Sequence, residues 1–145
     1  MNLNHIAKKP FFDLFYKTPC MPQMARAAFQ ESASFNHGSR TGGVNGALRL
    51  KEKLALPENK EYKFAMDRVH DIKVEGNHIT EILSYSDLIQ LGGLCAVEYC
   101  GGPSMIFRMG RKDVESAEDA SGESVADLYG SSHAIEQNGE RMGLN

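Results

Sequence analysis

Charge of one sign, long apolar runs and paired cysteines are all missing from this sequence, and each absence removes a class of protein. Sixteen lysines and arginines stand against 19 aspartates and glutamates, a formal net charge of −3. That balance offers no basic footprint for nucleic acid or for an anionic membrane. No stretch approaches the roughly 20 apolar residues a membrane span needs, and residues 1–10 lack the basic-then-apolar order of a signal peptide. The chain reads as soluble, or as the mature form of an imported protein. The three cysteines, Cys20, Cys95 and Cys100, are odd in number and have no CxxC spacing. They indicate neither a disulfide framework nor a zinc site, and fit a reducing compartment. Repeats and low-complexity tracts are absent as well.

What is present is the material of one helical domain. A chain of 145 residues buries roughly 68–70% of its unfolded surface, enough for a real core. Residues 6–16 predict a first helix with Phe12, Phe15 and Tyr16 on its apolar face and Pro10 near a boundary. Pro19 and Pro22 suit a helix start, and in the Ala-rich stretch 23–34 Met24, Ala27, Ala28 and Phe29 are spaced as a buried stripe. Residues 35–46 contain four glycines together with Asn and Ser, which predicts a loop. A short helix over 48–54 follows, then longer ones over 59–72 (Tyr62, Ala65, Met66, Val69) and 85–97 (Leu88, Ile89, Gly92, Cys95, Ala96). Ser84 or Ser86 would cap the latter. Within 72–79, Gly76-Asn77 allows a turn or a short hairpin. The acidic, Ser- and Ala-rich stretch 114–124 reads as a solvated loop. A last helix over 132–142 closes on Gly143. The fold class is all-α, helices joined by long Gly-rich loops, with residues 1–19 an N-terminal helix or extension and 20–145 the main unit.

Within that unit, Cys20-Met21-Pro22, Arg26 and Phe29-Gln30 fall in a pattern that resembles the distal helix of class I haem peroxidases of the ascorbate-peroxidase type. There Cys-Ala-Pro precedes an arginine, with tryptophan three residues on and histidine four on. The similarity continues through Thr41-Gly42-Gly43-Val44-Asn45-Gly46-Ala47-Leu48-Arg49, which matches a TGGxxG loop. It is strongest at Tyr85-Ser86-Asp87-Leu88-Ile89-Gln90-Leu91-Gly92-Gly93. Ala96-Val97-Glu98 and Gly101-Gly102-Pro103 extend the match, and residues 107–113 resemble FxxGRxD. The matches run over about residues 20 to 143, and the resemblance implies the distal lobe of the haem-peroxidase fold.

The resemblance also implies what is lost. In such a peroxidase the histidine takes a proton from one peroxide oxygen and returns it to the other, while the arginine stabilises the departing charge. Arg26, Phe29 and Gln30 keep the i, i+3, i+4 spacing of a common face, but an amide has no pKa in the useful range and cannot shuttle a proton. Glu31 lies about 140° around the helix from Arg26 and points off that face, as a solvated or structurally paired glutamate. Asn59 stands where the family orients its histidine, and is expected here to cap the following helix. The proximal iron ligand of the family comes after the segment matching residues 142–145, so no haem is expected unless a proximal lobe exists. His5, His37, His70, His78 and His133 are expected in loops, on polar faces or outside the haem site. Lys17 sits one position out of register with the family's ascorbate-binding lysine. Gly122-Glu123-Ser124-Val125 replaces a GRLP motif, which puts recognition of haem propionates and ascorbate in doubt.

The expectation is therefore a non-catalytic, ascorbate-peroxidase-like subunit of a larger organellar complex, photosynthetic first and mitochondrial second. Other protein subunits would cover its apolar face, because monomers rarely expose contiguous apolar patches beyond a few hundred Å². The alternative is a haem peroxidase reducing hydrogen peroxide whose proximal half is not in this chain.

Overall fold

The computed structural model describes residues 2–120 and 131–144, and in these the chain is helical. Seven α-helices follow in order: α1 (Leu3–Lys17), α2 (Met21–Ser32), α3 (Lys51–Leu54), α4 (Lys63–Glu75), α5 (His78–Ile82), α6 (Tyr85–Tyr99) and α7 (Ser132–Met142). Single 3₁₀ turns, Ala47–Arg49 and Pro57–Tyr62, flank α3. Among the described residues the only strand-like pairing is an isolated bridge between Asn36 and Thr41. The GRLP-like stretch 122–125 and the second half of the predicted 114–124 loop lie outside the described residues.

One main core joins α1 to α6, and α7 packs apart from it, Met142 against Ala33. Phe11 and Phe15 from α1, Met24 and Ala27 from α2, Val69 from α4 and Leu88, Ile89 and Leu91 from α6 are all buried in the main core. Its principal helix pair is α2 against α6, and the sequence permits their close approach at two glycines. A Cβ on Gly92 would sit 2.8 Å from Phe11 Cε1 and 2.9 Å from Met24 Sδ, and one on Gly93 would land on Ala28 Cβ. A larger residue at either position would overpack a filled interior.

Pro10, expected at a helix boundary, lies inside α1. A proline there removes the amide that would donate to the carbonyl four residues back. That carbonyl, Ile6 O, instead accepts from Asn77 Nδ2 at 2.8 Å. Asn77 thus does two jobs, since its Oδ1 also caps α5 by accepting from Ile79 N and Thr80 N at 3.0 and 3.1 Å. No hairpin forms over 72–79; Gly76 and Asn77 are the turn between α4 and α5. Asn77→Ala is expected to cost about 1–3 kcal/mol, the sum of a lost cap and an unpaired carbonyl. The carbonyl part should disappear when Pro10→Ala restores the helical donor, so a double-mutant cycle by urea unfolding checks the pairing, and strict additivity would contradict it.

The motif resembling FxxGRxD is an extended segment strapped across the start of α6. Asp87, 2% exposed, accepts from Gly110 N at 2.6 Å and from Arg111 Nη1 at 2.9 Å. Asp113 accepts in return from Tyr85 N and Ser86 N, both at 2.8 Å. Helix and strap therefore satisfy each other's orphan amides. Ser84 is the residue that caps α6, accepting from Asp87 N at 3.0 Å. At the far end α7 closes on Gly143 in the left-handed region, φ 78°, and is tied to the end of α2 by Arg141 Nη1 donating to Phe35 O at 2.8 Å.

Candidate functional site

Pro22 opens α2, and the helix then turns Met24, Ala27, Ala28, Gln30 and Glu31 inward. The three family-matched positions do not share one environment. Arg26 and Phe29 are half exposed, whereas Gln30 is 8% exposed. Arg26 Nη2 pairs with Glu61 Oε2 at 2.7 Å at the surface, where an ion pair is worth little. This is a carboxylate partner of the kind a repacked site would supply, but on an open face.

Gln30 is held from behind. Its Nε2 donates to Asn59 Oδ1 at 3.1 Å, and Asn59 Nδ2 donates to Lys53 O at 3.0 Å. The Lys53 carbonyl thereby sets which way the Asn59 amide faces, and Asn59 sets Gln30. Asn59 does not cap α4, whose N-cap is Tyr62; it lies within the 3₁₀ turn Pro57–Tyr62 and is 7% exposed. The orienting contact of the family is kept while the oriented group has become an amide.

Glu31 is neither solvated nor available as a base. It is 6% exposed, its Oε1 accepts from Asn45 N at 3.1 Å and Ala47 N at 3.0 Å, and its Oε2 accepts from Leu48 N at 3.1 Å. Burial pushes its carboxyl above the usual range, and the backbone amides of residues 45–48 pull it back only in part. Its role is to pin the Gly-rich loop onto α2. The sequence signal was the side of the helix it occupies; the amides it meets belong to a loop whose path periodicity does not describe.

Outside this wall, Cys20 and Cys95 are buried and Cys100 is exposed, and burial pushes the Cys95 thiol up to about 12. Lys17 ends α1 on the surface. Iron would require an axial donor, and the histidines sit on separate elements. His70 Nδ1 is bonded to Tyr85 Oη at 2.6 Å, His37 packs against Gly143, and His5, His78 and His133 lie on α1, α5 and α7. Among the described residues no group of three metal-ligating side chains occurs. The wall formed by Arg26, Phe29, Gln30 and Asn59 includes no iron ligand of its own.

Beside Phe29 the α2–α6 pair leaves an open groove of about 630 Å³, with an apolar part of Ala25, Ala28, Val97, Met105 and Ile106 and a polar part of Gln90, Arg108 and Arg111. Phe29 is 40% and Ile106 89% exposed, so large apolar side chains lie at the surface beside this groove. No helix among the described residues is long and apolar enough to cross a membrane.

The family profile described as Peroxidase matches residues 6–145. L-ascorbate peroxidase 5, peroxisomal, of Arabidopsis thaliana is 39% identical over 125 residues, 86% of this chain and 42% of that protein. L-ascorbate peroxidase 1, cytosolic, of Oryza sativa subsp. indica is 32% identical over 139 residues, 96% of this chain and 54% of that one. The chain spans about half the length of these relatives. Among solved structures, the TL29 protein from Arabidopsis thaliana superposes with a TM-score of 0.78 at 20% identity, over 99% of this chain and 68% of that one, which establishes a shared fold. With its distal-helix residues recognisable in sequence and their helix packed as described, the chain belongs to the peroxidase family, in its class I, ascorbate-peroxidase-like branch.

Proposed function

We propose that this chain is a non-catalytic, ascorbate-peroxidase-like structural subunit of a larger organellar assembly. The observation that carries the reading is Gln30: an amide held by Asn59 occupies the place where peroxide cleavage needs a group that takes up and returns a proton. General acid–base help of that kind is worth roughly 10²–10⁴-fold. The apolar part of the open groove supports the second half of the reading, since a partner subunit would remove it from water. The proposed compartment is the chloroplast, with a photosynthetic complex first and a mitochondrial one second; the relatives named above are peroxisomal and cytosolic proteins. Purification of the native assembly with intact-mass analysis tests it, stoichiometric partner subunits being expected and a lone chain overturning it.

Restoring Gln30→His together with Phe29→Trp is expected to leave peroxide-dependent ascorbate oxidation at the level of free haem, because the wall still lacks an iron ligand. Turnover clearly above that level would contradict the reading. One observation favours a second reading, a haem peroxidase completed by a half outside this chain: the chain covers only 42% of the Arabidopsis enzyme. A Soret band on the purified protein that shifts on adding peroxide would decide for it.

A further inference from the structure

Segment 49–54, α4 and the first residue of α6 line a cleft of about 420 Å³, within the range of small-ligand sites. Its floor is apolar, with Leu54 and the buried Met66. Four polar groups converge on it: Arg49, Lys51, His70 and Tyr85. Two carboxylates also reach it, Glu52 and Asp67, of which Asp67 is held by Lys63 at 2.7 Å.

The polar groups are pre-set. Arg49 spends its guanidinium on carbonyls, donating to Gly46 O at 2.6 Å and Val114 O at 2.7 Å, while the nearby Asp113 carboxylate is taken up by the amides of Tyr85 and Ser86. It lies 5.3 Å from the Tyr85 ring centre, as does Lys73, whose ammonium is anchored on Glu81 O and Leu83 O. The Tyr85 ring thus has two anchored cations within cation–π distance. Burial pushes its phenol above the ordinary value, which keeps the hydroxyl protonated and able to donate to His70 Nδ1. A ligand that accepts from Nε2 selects that tautomer. The imidazole and phenol planes are within 4° of parallel, so the pair presents one flat edge beside the apolar floor.

We propose that this cleft binds a small organic monoanion with a flat apolar body, its anionic group meeting Lys51, Arg49 and the His70 Nε2–H. Sodium benzoate is the probe, titrated into the ¹⁵N-labelled full chain while the His70 imidazole nitrogens and the amides of residues 49–54 are followed. A saturable shift at His70 is expected, with Kd on the order of millimolar, as suits so small a ligand. Lys51→Met, a change at an exposed side chain, should weaken binding about ten-fold, and Tyr85→Phe should abolish the shift of Nε2 by freeing the ring. Benzyl alcohol should bind at least about ten-fold more weakly, since it lacks the charge. No saturable shift at His70, equal binding of benzyl alcohol, or equally tight binding of inorganic phosphate would each overturn the proposal, the last by showing a bare patch of charge.

Discussion

Truncating Glu31 to alanine is expected to destabilise the fold by about 3–5 kcal/mol, since the amides of Asn45 and Leu48 lose their acceptor, Ala47 N keeps only Asn45 Oδ1, and a cavity is left behind. The amides of Asn45, Ala47 and Leu48 all end on this one carboxylate, while Ser34 holds the same loop farther back, at Gly43. Glu31→Gln separates shape from chemistry. Its oxygen can keep Asn45 and Ala47, but its NH₂ then faces the Leu48 amide, donor against donor, at a cost of about 1–3 kcal/mol. Urea midpoints measure both, and hydrogen exchange at residues 45–48 localises the loss; an alanine variant within about 1 kcal/mol of the parent would refute the anchoring role.

The same residue predicts a pH dependence of definite sign. Burial raises the folded pKa of Glu31 above its unfolded value of 4.5. The native state therefore holds a proton that the unfolded chain has released, and stability from this group is full below the unfolded pKa. It is lost as pH rises through the raised folded value. Glu31→Gln should remove that component, so the parent's stability advantage over Gln should shrink as pH increases through that window. An advantage that grows with pH would show that the amides, rather than burial, dominate the carboxyl.

Asp87→Ala is expected to cost about 2–4 kcal/mol, below the usual penalty for breaking a buried pair because Arg111, with its side chain 36% exposed, can turn to water. What cannot rehydrate easily are the amides of Gly110 and Arg111, which donate to the carboxylate at 2.6 and 3.3 Å. The strap over residues 107–111 should detach at its centre, exposing Phe107, which is 7% exposed in the native fold. A lowered urea midpoint with faster exchange at Gly110 is the expected signature. An unchanged Gly110 rate would place the strap's stability elsewhere, for instance in Asp113 at the helix start.

Local sequence signals match the structure wherever the deciding contacts are close in sequence. The bounds of α7 and its Gly143 cap, the Ser84 cap and the Pro22 start of α2 all rest on hydrogen bonds or dihedrals within a turn of the residue. Pro10 was misplaced because the group that relieves it, Asn77, is far along the chain. Of the turn or short hairpin that Gly76-Asn77 allows, the structure has the turn, because Asn77 caps α5 instead of joining two strands. Asn59 was assigned to the helix after it, and a side-chain partner on α2 claimed it instead.

By itself the sequence determined the family, the all-helical class and the chemical disqualification of residue 30, because these depend on residue identity and on a period of 3.6 that any helix must obey. Only the tertiary structure decided that Arg26 and Phe29 face outward while Gln30 is buried, and that Glu31 is an anchor. A helical wheel gives the angle between side chains but not what stands opposite each one, and it is the opposing atoms, here Asn59, Glu61 and the amides of the Gly-rich loop, that set burial, protonation and role.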